Sequence, residues 1–161
     1  IDRTVATARL VRKYGGKVIV FGPNGVRRET YKFEDHKANI IATLNEGAKA
    51  VFDLGLTPVL HQHTGTCIET RDETYAVMEA VDTRYLKFGP DFAGGEAFLG
   101  YCPLGQGKVD VPAVLAMLDG RALNGMIMVE LDSSPNMPMT PLETASIAKA
   151  YLIKQGVALR A

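Results

Sequence analysis

Residues 58–81 read PVLHQHTGTCIETRDETYAVMEAV, and this stretch decides the fold. Pro58 to His63 reads as a β-strand that ends in His-Gln-His. Thr70 with Glu73 three residues later is a capping box, in which each side chain satisfies the other residue's backbone N–H, so a helix starts just beyond the histidine loop. A strand followed at once by a helix is half of a βαβ unit, because parallel strands need a crossover rather than a tight turn. Side chains alternate between the faces of a strand, so His61 and His63 point the same way, with Val59 behind them.

The same rhythm extends in both directions. Upstream, Lys17 to Gly22, KVIVFG, is a continuous apolar run rich in β-branched residues, the composition of a strand buried on both faces. Thr4 to Tyr14 forms a short helix before it, stopped by Gly15-Gly16. From about Glu34 to Leu54, Ile40, Ile41, Leu44, Ala48, Val51 and Leu54 recur at three- and four-residue intervals, an amphipathic helix closed by Gly55. Downstream, Tyr85 to Phe88 is a third strand, ending at Gly89-Pro90-Asp91. Asp110 caps the helix VPAVLAML with Pro112 in its first turn, GMIMVELD is a fourth strand, and Thr140-Pro141-x-Glu143 opens a last helix that stops at Gly156. Strands alternating with helices give the class α/β with a parallel sheet. One interval breaks the rhythm: DFAGGEAFLGYCPLGQGK, residues 91–108, is loop-like and too short for a helix plus a strand.

The 161 residues are 47% hydrophobic and 22% charged, an ordinary globular composition for a single domain over residues 1–161. Eighteen basic and eighteen acidic residues balance, so no nucleic-acid or membrane footprint is expected, and the partner is a small molecule. Cys67 and Cys102 lack any CxxC spacing and read as free thiols. With no long apolar stretch and no signal-peptide pattern, a cytoplasmic protein is the default expectation. The chain begins at Ile1 and enters a helix directly, from which a longer parent protein is expected.

Several side chains could carry chemistry. His-x-His suits chelation, and imidazole is the commonest metal ligand; the plainer alternative is that His61 and His63 hydrogen-bond to backbone or line a polar cleft. Asp91 and Glu130 stand at the C-terminal ends of strands, the rim where ligands gather in parallel α/β folds; an Asx turn and a salt-bridged rim charge are the plainer alternatives. Together with the histidines they favour a mixed nitrogen and oxygen metal site. Thr64, Gly65 and Thr66 could hydrogen-bond a polyol hydroxyl, although Gly65 more simply turns the chain. Counting back in twos from Asp91 puts Lys87 on the same face, as a cation or proton donor or else as one half of an ion pair. His36 reads as exposed, and Met126 and Met128 as core filler. The GYCPLGQG segment, residues 100–107, lacks the Gly-Lys-Ser/Thr of a P-loop, yet its backbone could approach a ligand closely; Cys102 has no local activating base.

With HQHTGT, FGPD, PLGQGKVDVPAVLAML and GMIMVELDSSP in place, the chain resembles the xylose-isomerase-like TIM-barrel superfamily, and within it the myo-inosose dehydratases, over most of residues 57–140. The resemblance implies a parallel (β/α)8 TIM barrel, incomplete in this chain, since such a barrel runs to roughly 250 residues. The chain would be its C-terminal portion, with a helix-strand unit missing near 92–96. Four strands cannot close, so a second copy or another partner would cover the open edges, making a homo-oligomer possible. The resemblance places Asp91 and Glu130 at metal-ligand strand ends and His61 where many relatives carry a glutamate ligand. A further family histidine ligand has no counterpart, because no His follows His63.

The function so implied is metal-dependent elimination of water from a keto-polyol through an enediolate. His61, Asp91 and Glu130 would be the ligands of Mn, Co, Fe or Zn, and His63 and Lys87 the catalytic groups. A sugar or sugar-phosphate isomerase or epimerase would use the same enediolate. A non-catalytic, degenerate barrel fragment that binds a polyol is the alternative from a different class, and a DNA-repair nuclease fits the neutral charge poorly.

Overall fold

The KVIVFG run folds as strand β1 (Val18–Phe21), and the 58–81 stretch as strand β2 (Thr57–Leu60) followed by a helix, α3 (Arg71–Met78). Helix α1 (Asp2–Lys13) precedes β1, helix α2 (Phe33–Asp53) connects β1 to β2, and strand β3 (Lys87–Phe88) follows α3. The computed structural model describes residues 1–89, 102–120, 127, 129–130 and 138–158, and the chain divides into two compact units, Ile1–Asp91 and Phe92–Ala161. All strands of the first unit run parallel in the order β1-β2-β3, so each neighbouring pair is joined by a helical crossover.

The helix boundaries follow from local chemistry. The predicted capping box at Thr70 and Glu73 is formed, with the Thr70 hydroxyl accepting from the Glu73 N–H and the Glu73 carboxylate accepting from the Thr70 N–H. Helix α2 ends where Gly55 turns left-handed at φ +78°, a conformation that glycine enters without penalty. Its interior Gly47 has a different cause: a Cβ there would stand 3.3 Å from the Phe21 ring, so the small residue lets the helix approach the sheet.

The core of the first unit lies on one face of this sheet. Leu60, Ile68, Val77 and Leu86 are buried with Phe33 and Ala48, and Ile19 with Ala8, Val51 and Leu56. Helix α2 packs against α1, α3 and β2. Along β1 the burial alternates: Ile19 is buried, while Val18 and Val20 are 51% and 60% exposed. The expectation that KVIVFG is buried on both faces is therefore corrected. Its β-branched composition reports strand propensity, which one covered face is enough to satisfy.

The expected eight-stranded barrel is also overturned, because the described residues form a three-stranded open parallel sheet with five helices. Closure needs every strand to be paired on both sides, whereas only β2 has two neighbours among the described residues. Two strand limits differ as well. β2 ends at Leu60 rather than His63, and β3 begins at Lys87 rather than Tyr85. Of GMIMVELD, the described residues Ile127, Val129 and Glu130 are exposed and belong to no strand; an apolar run becomes a strand only where a ladder accepts it. The helix-strand unit expected to be missing near 92–96 falls outside the described residues, as do Met126 and Met128.

In the second unit, helices α4 (Val111–Asp119) and α5 (Pro141–Lys154) start as predicted. Asp110 accepts from the Ala113 N–H, and Thr140 and Glu143 form a reciprocal capping box. Gly105, at φ +84°, lies so close to the Tyr151 ring of α5 that no Cβ would fit, so this part of the PLGQG turn serves packing. No helix among the described residues is long and apolar enough to cross a membrane.

The one-sided core can be tested by urea unfolding. Leu60→Ala, which empties a fully buried site in the central strand, is expected to cost about 2–5 kcal/mol. Val20→Thr on the other face should stay within about 0.5 kcal/mol of the parent. Comparable losses from both would show that the Val20 face is covered.

Candidate functional site

The candidate site starts where β2 stops. The His61 N–H donates to the Phe21 carbonyl at 3.1 Å, one rung beyond the last strand residue, and the Gly89 N–H donates to the Leu60 carbonyl at 2.9 Å. The HQH segment therefore leaves the sheet at the C-terminal end of its middle strand, between the ends of β1 and β3. In open parallel sheets this is the edge at which ligands bind. His61, Gln62 and His63 are all half-buried, and the two imidazole centroids are 6.2 Å apart with their planes at 45°.

Because His63 stands in a loop, a hydrogen bond rather than strand alternation sets its ring. Its Nδ1 lies 3.0 Å from the Thr64 carbonyl, which can only accept, so Nδ1 carries the proton. In that tautomer the ring's lone pair lies on Nε2, the nitrogen that takes a proton or a metal ion.

The backbone around the histidines is tied down at several points. The Thr66 hydroxyl donates to the His63 carbonyl at 2.6 Å, with the Ile68 carbonyl as an alternative acceptor at 2.9 Å. The Gly65 N–H donates to Glu69 Oε2 at 2.8 Å, and Gly65 sits at φ +77°. The loop after β1 lies alongside: the Val26 N–H donates to the Gly65 carbonyl and the Cys67 N–H to the Asn24 carbonyl, both at 2.9 Å. Arg28 joins the two loops. Its Nη1 donates to the Thr66 carbonyl at 3.1 Å, its Nη2 to Glu73 Oε1 at 2.7 Å, and its Nε pairs with Glu69 Oε2 at 3.3 Å. Tyr31 stacks on the exposed His36, lies beneath the guanidinium, and donates its hydroxyl to the Cys67 carbonyl.

Of the residues singled out from sequence, His61, His63, Thr64, Gly65 and Thr66 are brought together in this loop. Thr64 is exposed, whereas the Thr66 hydroxyl is buried and engaged within the loop. The Lys87 ammonium donates to the Thr83 carbonyl, toward the start of its own strand, and is exposed. Glu130 is an exposed residue of the second unit, and Asp91 lies outside the described residues. Cys67 and Cys102 are free thiols, as expected.

For a metal ion the donor set is partial. Among the described residues, no group of three or more His, Cys, Asp and Glu side chains converges to hold one. Two imidazoles sharing one tetrahedral ion have centroids roughly 5 Å apart, given metal–nitrogen bonds of about 2.0–2.1 Å. The 6.2 Å observed is longer than that, so the two rings are not placed to share one such ion. Arg28, Glu69 and Tyr31 carry no signal in the sequence, since Arg28 and Glu73 are 45 residues apart and meet only because parallel pairing sets the loop after β1 beside the start of α3.

The clamp has a pH signature. Burial pushes the Glu73 carboxyl up, but hydrogen bonds from Arg28 and from the Thr70 and Glu69 N–H groups outweigh it, leaving the pKa below its ordinary 4.5. A carboxyl depressed on folding contributes stability above its unfolded pKa and loses it as the pH falls through the folded value. The stability gap between the parent and Glu73→Gln, measured by urea unfolding, should be widest above about pH 5 and should narrow in more acidic buffer. A gap that does not vary with pH would contradict this.

Compared with protein-family models, curated proteins and solved structures, the chain matches none.

Proposed function

We propose that this chain belongs to a metal-dependent enzyme acting on a keto-polyol or sugar, with elimination of water from a 2-keto-inositol-type substrate as its reaction. One observation supports the reading: His63, with Nδ1 3.0 Å from the Thr64 carbonyl, stands beside His61 at the C-terminal end of the central strand, the edge at which parallel sheets bind ligands. The resemblance of the HQHTGT and GMIMVELDSSP segments to inosose dehydratases supplies the substrate class.

In this reading His61 offers a nitrogen ligand, and Mn, Co, Fe or Zn, when bound, supplies the Lewis acidity that polarises a ketone. The chain's own contribution is proton transfer. His63 Nε2 takes the proton from the carbon next to the carbonyl, leaving an enediolate. The imidazolium then gives that proton to the departing β-hydroxyl, which leaves as water, and His63 returns to its starting state. The exposed Thr64 hydroxyl is available to a substrate hydroxyl at the same loop.

The test is incubation of the chain with 2-keto-myo-inositol, and separately with ketohexoses, in the presence of Mn2+ or Co2+. Release of a 1,2-diketone, in equilibrium with its enol, is expected. His63→Ala should lower kcat about a hundredfold or more, and His61→Ala should weaken Co2+ binding at least tenfold. Formation of an epimer alone would replace the dehydratase with an epimerase. Absence of both turnover and Co2+ binding would overturn the reading.

A further inference from the structure

We propose that Arg28 is a positioning residue for His63, acting through the Thr64–Thr66 backbone to hold the imidazole in its Nδ1–H tautomer; this rests on the reading of His63 as the proton acceptor. Arg28 lies on the loop after β1 and reaches the histidine loop by two routes. Through Nη1 it binds the carbonyl of Thr66, whose hydroxyl holds the His63 carbonyl. Through Nε it pairs with Glu69, whose carboxylate holds the Gly65 N–H. Both routes end on the residues flanking Thr64, whose carbonyl accepts from His63 Nδ1.

The geometry calls for a guanidinium. Three acceptors, the Thr66 carbonyl and the Glu69 and Glu73 carboxylates, receive three different nitrogens of one planar group. A lysine ammonium, a point charge on a flexible stem, cannot span them in one arrangement. The pairing is also sheltered: the side chains of Arg28, Glu69 and Glu73 are 27%, 29% and 11% exposed, and the Tyr31 ring centroid lies 5.3 Å from the guanidinium carbon. Freely solvated pairs hold little geometry, whereas a partly buried fork with shared acceptors fixes the backbone it touches.

Without Arg28, the Thr66 carbonyl loses its donor and Glu69 its counter-charge. The Thr64–Gly65 turn then relaxes, and the His63 ring reverts to the Nε2–H form favoured by free histidine side chains. That places a proton where the acceptor lone pair is needed.

The experiment is imidazole nitrogen NMR of the full chain, which distinguishes the two tautomers without metal or substrate. The parent should show His63 protonated on Nδ1. Arg28→Met should shift the population toward Nε2–H, and Arg28→Lys should fail to restore the parent state. Thr70→Ala, which weakens the α3 cap but leaves the Arg28 contact to Thr66, should keep the parent tautomer even at a similar loss of thermal stability. Should Arg28→Met fail to fold, Glu69→Ala, which releases the Gly65 N–H and spares the Arg28–Glu73 pair, is expected to move the tautomer in the same direction. Retention of the Nδ1–H form in a folded Arg28→Met or Glu69→Ala would overturn the proposal, as would a shift in Thr70→Ala equal to theirs. In the keto-polyol assay, Arg28→Met should lower kcat at least tenfold with little change in KM. A tautomer shift in a chain with no turnover on any keto-polyol would leave Arg28 as the positioning residue and remove only the reaction assigned to His63.

Discussion

The structure of the first unit depends on strand β2 being hydrogen-bonded in parallel to a neighbour on each side. Parallel strands cannot be joined by tight turns, so α2 and α3 are obligatory, and their apolar faces bury Leu60, Val51 and Val77. The same pairing brings the chain out at the same edge after each strand. Loops that leave β1 and β2 side by side must satisfy each other's backbone groups, and the contacts of Asn24, Val26 and Arg28 with Gly65, Thr66 and Cys67 do this. The candidate site is a consequence of the ladder rather than an addition to it.

What was legible in the sequence was what local chemistry decides. Thr70 and Glu73, Thr140 and Glu143, and Asp110 all cap helices where their spacing places them, because a cap involves residues three apart and nothing else. The glycines after α1, α2 and α5 mark helix ends for the same reason. Periodicity failed where the outcome depends on distant partners. Val18 and Val20 read as core but face outward, since composition does not count the layers that cover a sheet. The motifs over residues 57–140 imply a barrel, yet closure is a property of strand pairing, which motifs do not determine.

The histidine pair shows both sides of this limit. His61 and His63 do stand together at the end of the central strand, as their spacing implied, but the route is different. The strand ends at Leu60, so the pair is held by loop hydrogen bonds and not by the alternation of a pleat. Thr66, expected to face a polyol, turns its hydroxyl inward to the His63 carbonyl, which leaves Thr64 as the exposed hydroxyl of the TGT turn. A hydroxyl that bridges two backbone groups has little capacity left for a ligand.

A loop position carries a chemical advantage over a strand position for a proton acceptor. On a strand, backbone carbonyls are committed to the ladder, and the imidazole would need a separate partner to fix its tautomer. Past the end of β2 the chain is free to turn, and the Thr64 carbonyl becomes available to His63 Nδ1 within one residue. That freedom would ordinarily also let the ring wander. Here the turn is closed by the Thr66 hydroxyl and by Glu69, and Arg28 ties both to the neighbouring loop, so the carbonyl that selects the tautomer sits on backbone held from two sides. The loop that carries His63 is thus held in part by Arg28, more than thirty positions away in sequence and brought beside it by the register of two parallel strands.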